Sequence, residues 1–147
     1  MRLKISSKVL CNYLEVKNGF TEKLFLKLNP PFPPVKLLVF EGCNKGDRVS
    51  LELNFLLFKQ TWTSLITFDH SDSSVFEFID VGKKLPFFLK SWEHHHSVIR
   101  LNDTESEIVD DISFTTPYKM LDWLLLPALW LQFMYRKPIY KKIFKCH

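Results

Sequence analysis

The segment Met120–Met134 constrains this chain more than any other. It has helical length, and its only polar residues are Asp122 and Gln132. The residues before it read mainly as strands and short connectors. A long apolar helix that follows a run of strands must bury itself against the sheet they make. The expected architecture is therefore α+β: a sheet curled around a helix over Tyr118–Phe144, with any ligand in the space between. Met120, Leu124, Ala128, Leu131 and Met134 or Tyr135 form one stripe of that helix. Leu121, Leu125, Leu129 and Gln132 lie beside it, and Trp123, Leu126, Trp130 and Phe133 make another. A helix apolar all round is buried on more than one side. One side, read as the Leu124/Ala128 stripe, closes the sheet. The other meets a ligand space, the N-terminal segments, a second subunit or a membrane surface. Pro127 is expected to kink the helix, or else to separate two helices.

The strands are read from their period. Leu3 and Ile5 alternate with Arg2 and Lys4. Val49, Leu51, Leu53, Phe55 and Leu57 alternate with Ser50, Glu52, Asn54 and Leu56, which places one face inside. Trp62, Ser64, Ile66 and Phe68 share one side of Lys59–Phe68. Further strands are expected at Val35–Phe40, Val75–Val81, Leu89–Leu101 and Glu105–Thr116. Polar turns at 69–74 and 102–104 separate them, so short connections favour antiparallel pairing. Ahead of the sheet, Val9–Leu14 reads as a short helical or irregular piece. Thr21 is a candidate N-cap for Glu22–Leu28, with Phe20 and Phe25 as a hydrophobic staple. The prolines of Asn29–Pro34 end that helix.

The chain's 147 residues suit one domain, residues 1–147. Its aromatic share of 15% suits a core of strands or an apolar pocket lined by rings. A net charge of +4 with a pI near 8.9 falls below the usual nucleic-acid binder, so no nucleic acid is expected as a partner. Much of the excess is a basic tail: Arg136, Lys137, Lys141, Lys142 and Lys145. Cys11, Cys43 and Cys146 are odd in number and widely spaced, which argues against a disulfide framework and for a reducing compartment. The polar N-terminus is unlike a signal peptide, and the longest apolar run, Trp123–Leu131, is too short to span a bilayer. The expectation is a cytoplasmic protein.

The most unusual local feature is Ser91–Ser97, with three consecutive histidines. On a strand, Trp92, His94 and His96 point one way; on the next, Asp110, Ile112 and Phe114 share a face. If these sets point inward, the interior receives all six. Three readings stand. Buried imidazoles can hydrogen-bond to Asp110 or the backbone. They can form the polar end of an apolar ligand cavity. Two histidines at i and i+2 with a carboxylate can also share a metal ion, although a His-rich strand alone does not establish one, and no metal or cofactor is assigned. Acid–base chemistry by His94 or His96 lacks a matched nucleophile in the sequence. No phosphate loop, Gly-x-Ser-x-Gly or His-Glu-x-x-His is present.

The order of strand, two short helices, strands and long C-terminal helix resembles the helix-grip fold of the SRPBCC superfamily, which includes START domains and polyketide cyclases. More closely, the chain resembles small bacterial SRPBCC ligand-binding proteins with a Trp-x-His-x-His strand, then Asp-x-x-x-aromatic-x-x-Pro, then a helix carrying an aromatic-Arg pair. Here these are Trp92, His94 and His96; Asp110, Phe114 and Pro117; and Tyr135-Arg136. Leu28-Asn29-Pro30-Pro31 with Val35 fits their connector. The resemblance implies a cavity between sheet and helix, but no particular reaction. The resulting expectation is a small hydrophobic or amphipathic ligand contacted by Trp92, His94, His96, Asp110, Ile112, Phe114, Leu124 and Ala128. Two alternatives are a cyclase- or hydrolase-like enzyme using a cavity histidine, and a protein that sets the apolar helix and basic tail against a partner or an anionic membrane surface. A homodimer through the aromatic surface is a related option.

Overall fold

Period-two segments in this chain become strands, and most turns fall where polar residues, glycine or proline interrupt the alternation, the apolar turn at 55–58 being an exception. The computed structural model describes residues 1–146. It contains β1 (Arg2–Val9), α1 (Tyr13–Asn18), α2 (Glu22–Lys27), β2 (Val35–Phe40), β3 (Arg48–Asn54), β4 (Lys59–Ser71), β5 (Val75–Lys84), β6 (Ser91–Arg100), β7 (Ser106–Thr115) and α3 (Lys119–Ile143). The strands form one antiparallel seven-stranded sheet in the order β1-β7-β6-β5-β4-β3-β2. The first strand thus pairs with the last, and the sheet curves around α3. This is the helix-grip arrangement.

Strict alternation in β1 and β6 buries every second residue, including Leu3, Ile5, Trp92, His94, His96 and Val98. Two clusters anchor α3. Leu129 and Phe133 pack with Leu3, Ile5, Trp92, Ile112 and Phe114. Farther along, Tyr140 and Phe144 pack with Val9, Val16, Leu24, Val98 and Ile108. The helix therefore lies on the β1–β7–β6 half of the sheet, while the β2–β5 half curls over open space.

Several expectations change. α3 is one helix through Pro127 and Pro138, so Pro127 does not divide it. Its start is held by Asp122, whose carboxylate accepts from the Thr116 amide at 2.6 Å. The sheet-facing stripe runs through Leu125, Leu129 and Phe133; Leu124 is 71% exposed. Periodicity alone could not choose among stripes that were all apolar. β4 and β5 extend beyond their expected ends, leaving a turn at 72–74. A register shift between Ile66 and Phe68 in β4 reverses the alternation there, so Ile66 is buried and Phe68 is exposed. Leu57 leaves the strand pattern because β3 ends at Asn54 and Leu56 takes a positive φ of 70° in the turn. Thr21 is the N-cap residue of α2, as expected, but makes no side-chain hydrogen bond there, and Phe20 and Phe25 do not staple: Phe25 packs on Phe40, whereas Phe20 packs on Phe76 and His96.

Cys11 and Cys146 are joined in a disulfide across 135 residues, contrary to the expectation from their number and spacing. The fold explains the pairing. Leu10 and Lys145 form a parallel bridge, and the Cys146 amide donates to the Leu10 carbonyl at 3.0 Å. The inference of a reducing compartment loses its support. No helix among the described residues is long and apolar enough to cross a membrane.

Candidate functional site

A cavity of about 780 Å³ lies between α3 and the β2–β6 part of the sheet, within the range of small-molecule sites. Its walls are mainly apolar: Leu51, Leu53 and Phe55 from β3 and the turn after it, Trp62 and Ile66 from β4, and Leu125, Leu129 and Phe133 from α3. α2 and the proline connector close one end. Phe32, Leu131 and Tyr135 line the cavity and are also exposed, so they mark its rim.

One end is polar, and strand pairing builds it. His96 stands directly opposite Asp110 across the β6–β7 ladder, and His94 is opposite Ile112. Asp110 Oδ1 accepts from His94 Nε2 at 2.8 Å and from His96 Nδ1 at 2.9 Å. His94 Nδ1 faces Asp80 Oδ2 at 3.1 Å, and Trp92 Nε1 donates to Asp80 Oδ1 at 3.1 Å. Both His94 nitrogens therefore face carboxylates, which only accept, so both carry protons. Burial opposes that charge, but the hydrogen bonds to Asp110 and Asp80 outweigh it and raise His94 to about 9. Burial likewise opposes ionised Asp110, yet the two imidazoles hold its carboxyl well below its ordinary value. His96 goes the other way: burial lowers it despite Asp110, leaving a neutral ring with its proton on Nδ1.

From α3, Arg136 reaches the same end. Its Nη1 lies 4.0 Å from Asp110 Oδ1, and its guanidinium sits 4.2 Å from the Phe133 ring centroid. Tyr140 is fully buried one helical turn on, and burial followed by the Asp110 charge pushes its phenol up, so it stays protonated. Among the described residues, His96 Nε2, Arg136 Nε and Tyr140 Oη are buried without a hydrogen-bond partner of ordinary geometry, with the Arg136 guanidinium beside the Tyr140 phenol.

Trp92, His94, His96 and Ala128 line the cavity. Asp110 stands behind the histidines as their shared acceptor. Ile112 and Phe114 are buried in the closed part of the core, away from the cavity wall, and Leu124 faces outward. The sequence reading missed Asp80, Phe20 and Tyr140 as site residues, and assigned Arg136 to a basic tail and to the Tyr135-Arg136 pair but not to the cavity. The spacing of Leu129, Phe133, Arg136 and Tyr140 at i, i+4, i+7 and i+11 was the available signal, since these share one helical face. His94, His96 and Asp110 also present ligand atoms within 4.8 Å of one another. In this arrangement the nitrogens facing Asp110 carry its hydrogen bonds, so a metal would have to displace protons, including one from a doubly paired imidazolium.

The chain matches no protein-family model and no curated protein. Its fold recurs among solved structures. A hypothetical protein, jhp0584, from Helicobacter pylori aligns with 99% of this chain and 88% of its own, at a TM-score of 0.73 and 10% identity. A START superfamily protein from Mycobacterium smegmatis aligns over 93% and 97%, at 0.59 and 11%. The Zhui aromatase/cyclase from Streptomyces sp. R1128 aligns over 80% and 69%, at 0.58 and 17%. The chain thus has an SRPBCC-type helix-grip fold.

Proposed function

We propose that the protein binds a small hydrophobic or amphipathic ligand between the sheet and α3. The observation that carries this reading is the cavity of about 780 Å³, apolar along its walls and polar at one end. Apolar walls give affinity by releasing water, and a few polar groups set orientation. Trp92, His94, His96 and Ala128 contact the ligand, while Asp80 and Asp110 position the histidines. The similarity to aromatase/cyclase and START superfamily structures supports a binding fold but assigns no reaction. Titration with the fluorescent apolar probe N-phenyl-1-naphthylamine tests the proposal. One saturable site is expected, and Leu53→Trp, which places a large ring in the cavity, should weaken it at least tenfold. Unsaturable binding, or binding indifferent to Leu53→Trp, would contradict it.

A second reading concerns the outside. Leu56, Leu57 and Phe58 at the β3–β4 turn and Phe87 before β6 are exposed, with the Phe58 and Phe87 ring centroids 5.8 Å apart. Met120, Trp123 and Leu124 are exposed on α3. Exposed apolar clusters of this kind suit a membrane interface or partner. Flotation with anionic vesicles tests this reading: Leu57→Ser with Trp123→Ser should abolish association, and no association of the unmodified protein would dismiss it.

A further inference from the structure

Three side chains that line one cavity each hold a buried polar atom without a hydrogen-bond partner, and their chemistry is complementary to a particular head group. Arg136 Nε and Tyr140 Oη carry protons to donate. His96 Nε2 is a lone-pair acceptor, because Nδ1 carries the ring proton to Asp110 Oδ1 at 2.9 Å. All three side chains line the cavity, and His96 and Tyr140 are at least 98% buried. Leaving such atoms unpaired in a low-dielectric interior is costly.

Charge narrows the choice. The carboxylates Asp80 and Asp110 balance the cations His94 and Arg136, and His96 is neutral. An incoming carboxylate would add an uncompensated negative charge to a buried site, and an ammonium a positive one. A hydroxyl adds no charge and has both a proton and lone pairs.

We infer that this end of the cavity is a subsite for an uncharged hydroxyl: it donates to His96 Nε2 and accepts from Tyr140 Oη–H or Arg136 Nε–H. The ligand is then a hydrophobic alcohol or phenol, not a fatty-acid-like anion. This rests on the ligand-binding reading above and adds the class of the head group. Phe20 covers the subsite. Its ring packs on His96 at 4.6 Å and on Tyr140 at 6.3 Å between centroids, from the short link between α1 and α2. Phe20 is itself half-buried, so entry of the head group requires its ring to move aside.

Calorimetry with naphthalene, 2-naphthol and 2-naphthoate at neutral pH separates the possibilities. 2-Naphthol should bind roughly tenfold more tightly than naphthalene, and 2-naphthoate more weakly than 2-naphthol. Tyr140→Phe should reduce the preference for 2-naphthol over naphthalene. Because Tyr140 Oη makes no hydrogen bond of ordinary geometry, that variant should lose little heat stability. Equal affinity for naphthalene and 2-naphthol would overturn the hydroxyl subsite and leave the binding site standing. Preference for 2-naphthoate would replace the subsite with an anion site. Failure of all three to bind would remove the ligand-binding reading together with the inference.

Discussion

Asp110 Oδ1 accepts from two imidazoles at once, and a guanidinium lies 4.0 Å away. Removing a buried carboxylate from such a cluster leaves a cation without its counter-charge, a change that typically costs about 3–5 kcal/mol. Asp110→Asn is therefore expected to lower stability by that order, read as a shift in the urea midpoint. A loss below about 1 kcal/mol would show that the cluster is not coupled as described. The histidines predict opposite pH limbs. His94 is raised from 6.5 to about 9, so its stabilisation is complete below pH 6.5 and is lost as pH rises through about 9. His96 is lowered, so the unfolded chain takes up its proton first and stability falls as pH drops below 6.5. Denaturation midpoints across this range should peak near pH 6.5, and a flat alkaline limb would argue against a charged His94. The inward positions of Trp92, His94, His96 and Asp110 were legible because strand parity offers only two choices. Arg136 and Tyr140 were not, because the helix is apolar on nearly every face and basic residues near a C-terminus usually mark solvent.

Among the elements, α3 was legible in length and kind but not in rotation. Its exposed stripe is as hydrophobic as its buried one, and only packing against β1 and β7 distinguishes them. The strands were legible wherever alternation was unbroken. They were misread at the Ile66–Phe68 register shift and at the positive-φ turn at Leu56, both of which reset parity. The Cys11–Cys146 bond belongs to this scale because it fastens the chain after α3 to the chain after β1. Nothing local marks two cysteines so far apart as partners. Closing so long a loop restricts the unfolded chain, so Cys11→Ser with Cys146→Ser should cost about 2–4 kcal/mol. Thermal unfolding with and without reductant checks this: the parent should fall to the level of the double variant, and an unchanged midpoint would show that the bond does not constrain the chain.

At the scale of the whole molecule, one sheet closes against α3 on its β1–β7–β6 side and opens on its β2–β5 side. The closed half holds the core clusters; the open half holds the cavity. Element order and the one long apolar helix made this architecture readable, since few folds bury such a helix against so many antiparallel strands. The cavity's interior was less readable, because its lining comes from strands, connector and helix that only the closed fold brings together. On the proposed function, this space receives an apolar ligand. A crystal grown with 1-bromonaphthalene tests it directly through the anomalous signal of bromine. A bromine peak is expected between α3 and the β3–β4 wall, among Leu53, Trp62 and Leu129. A peak confined to the exposed Leu57–Phe58–Phe87 surface, with none in the cavity, would contradict it.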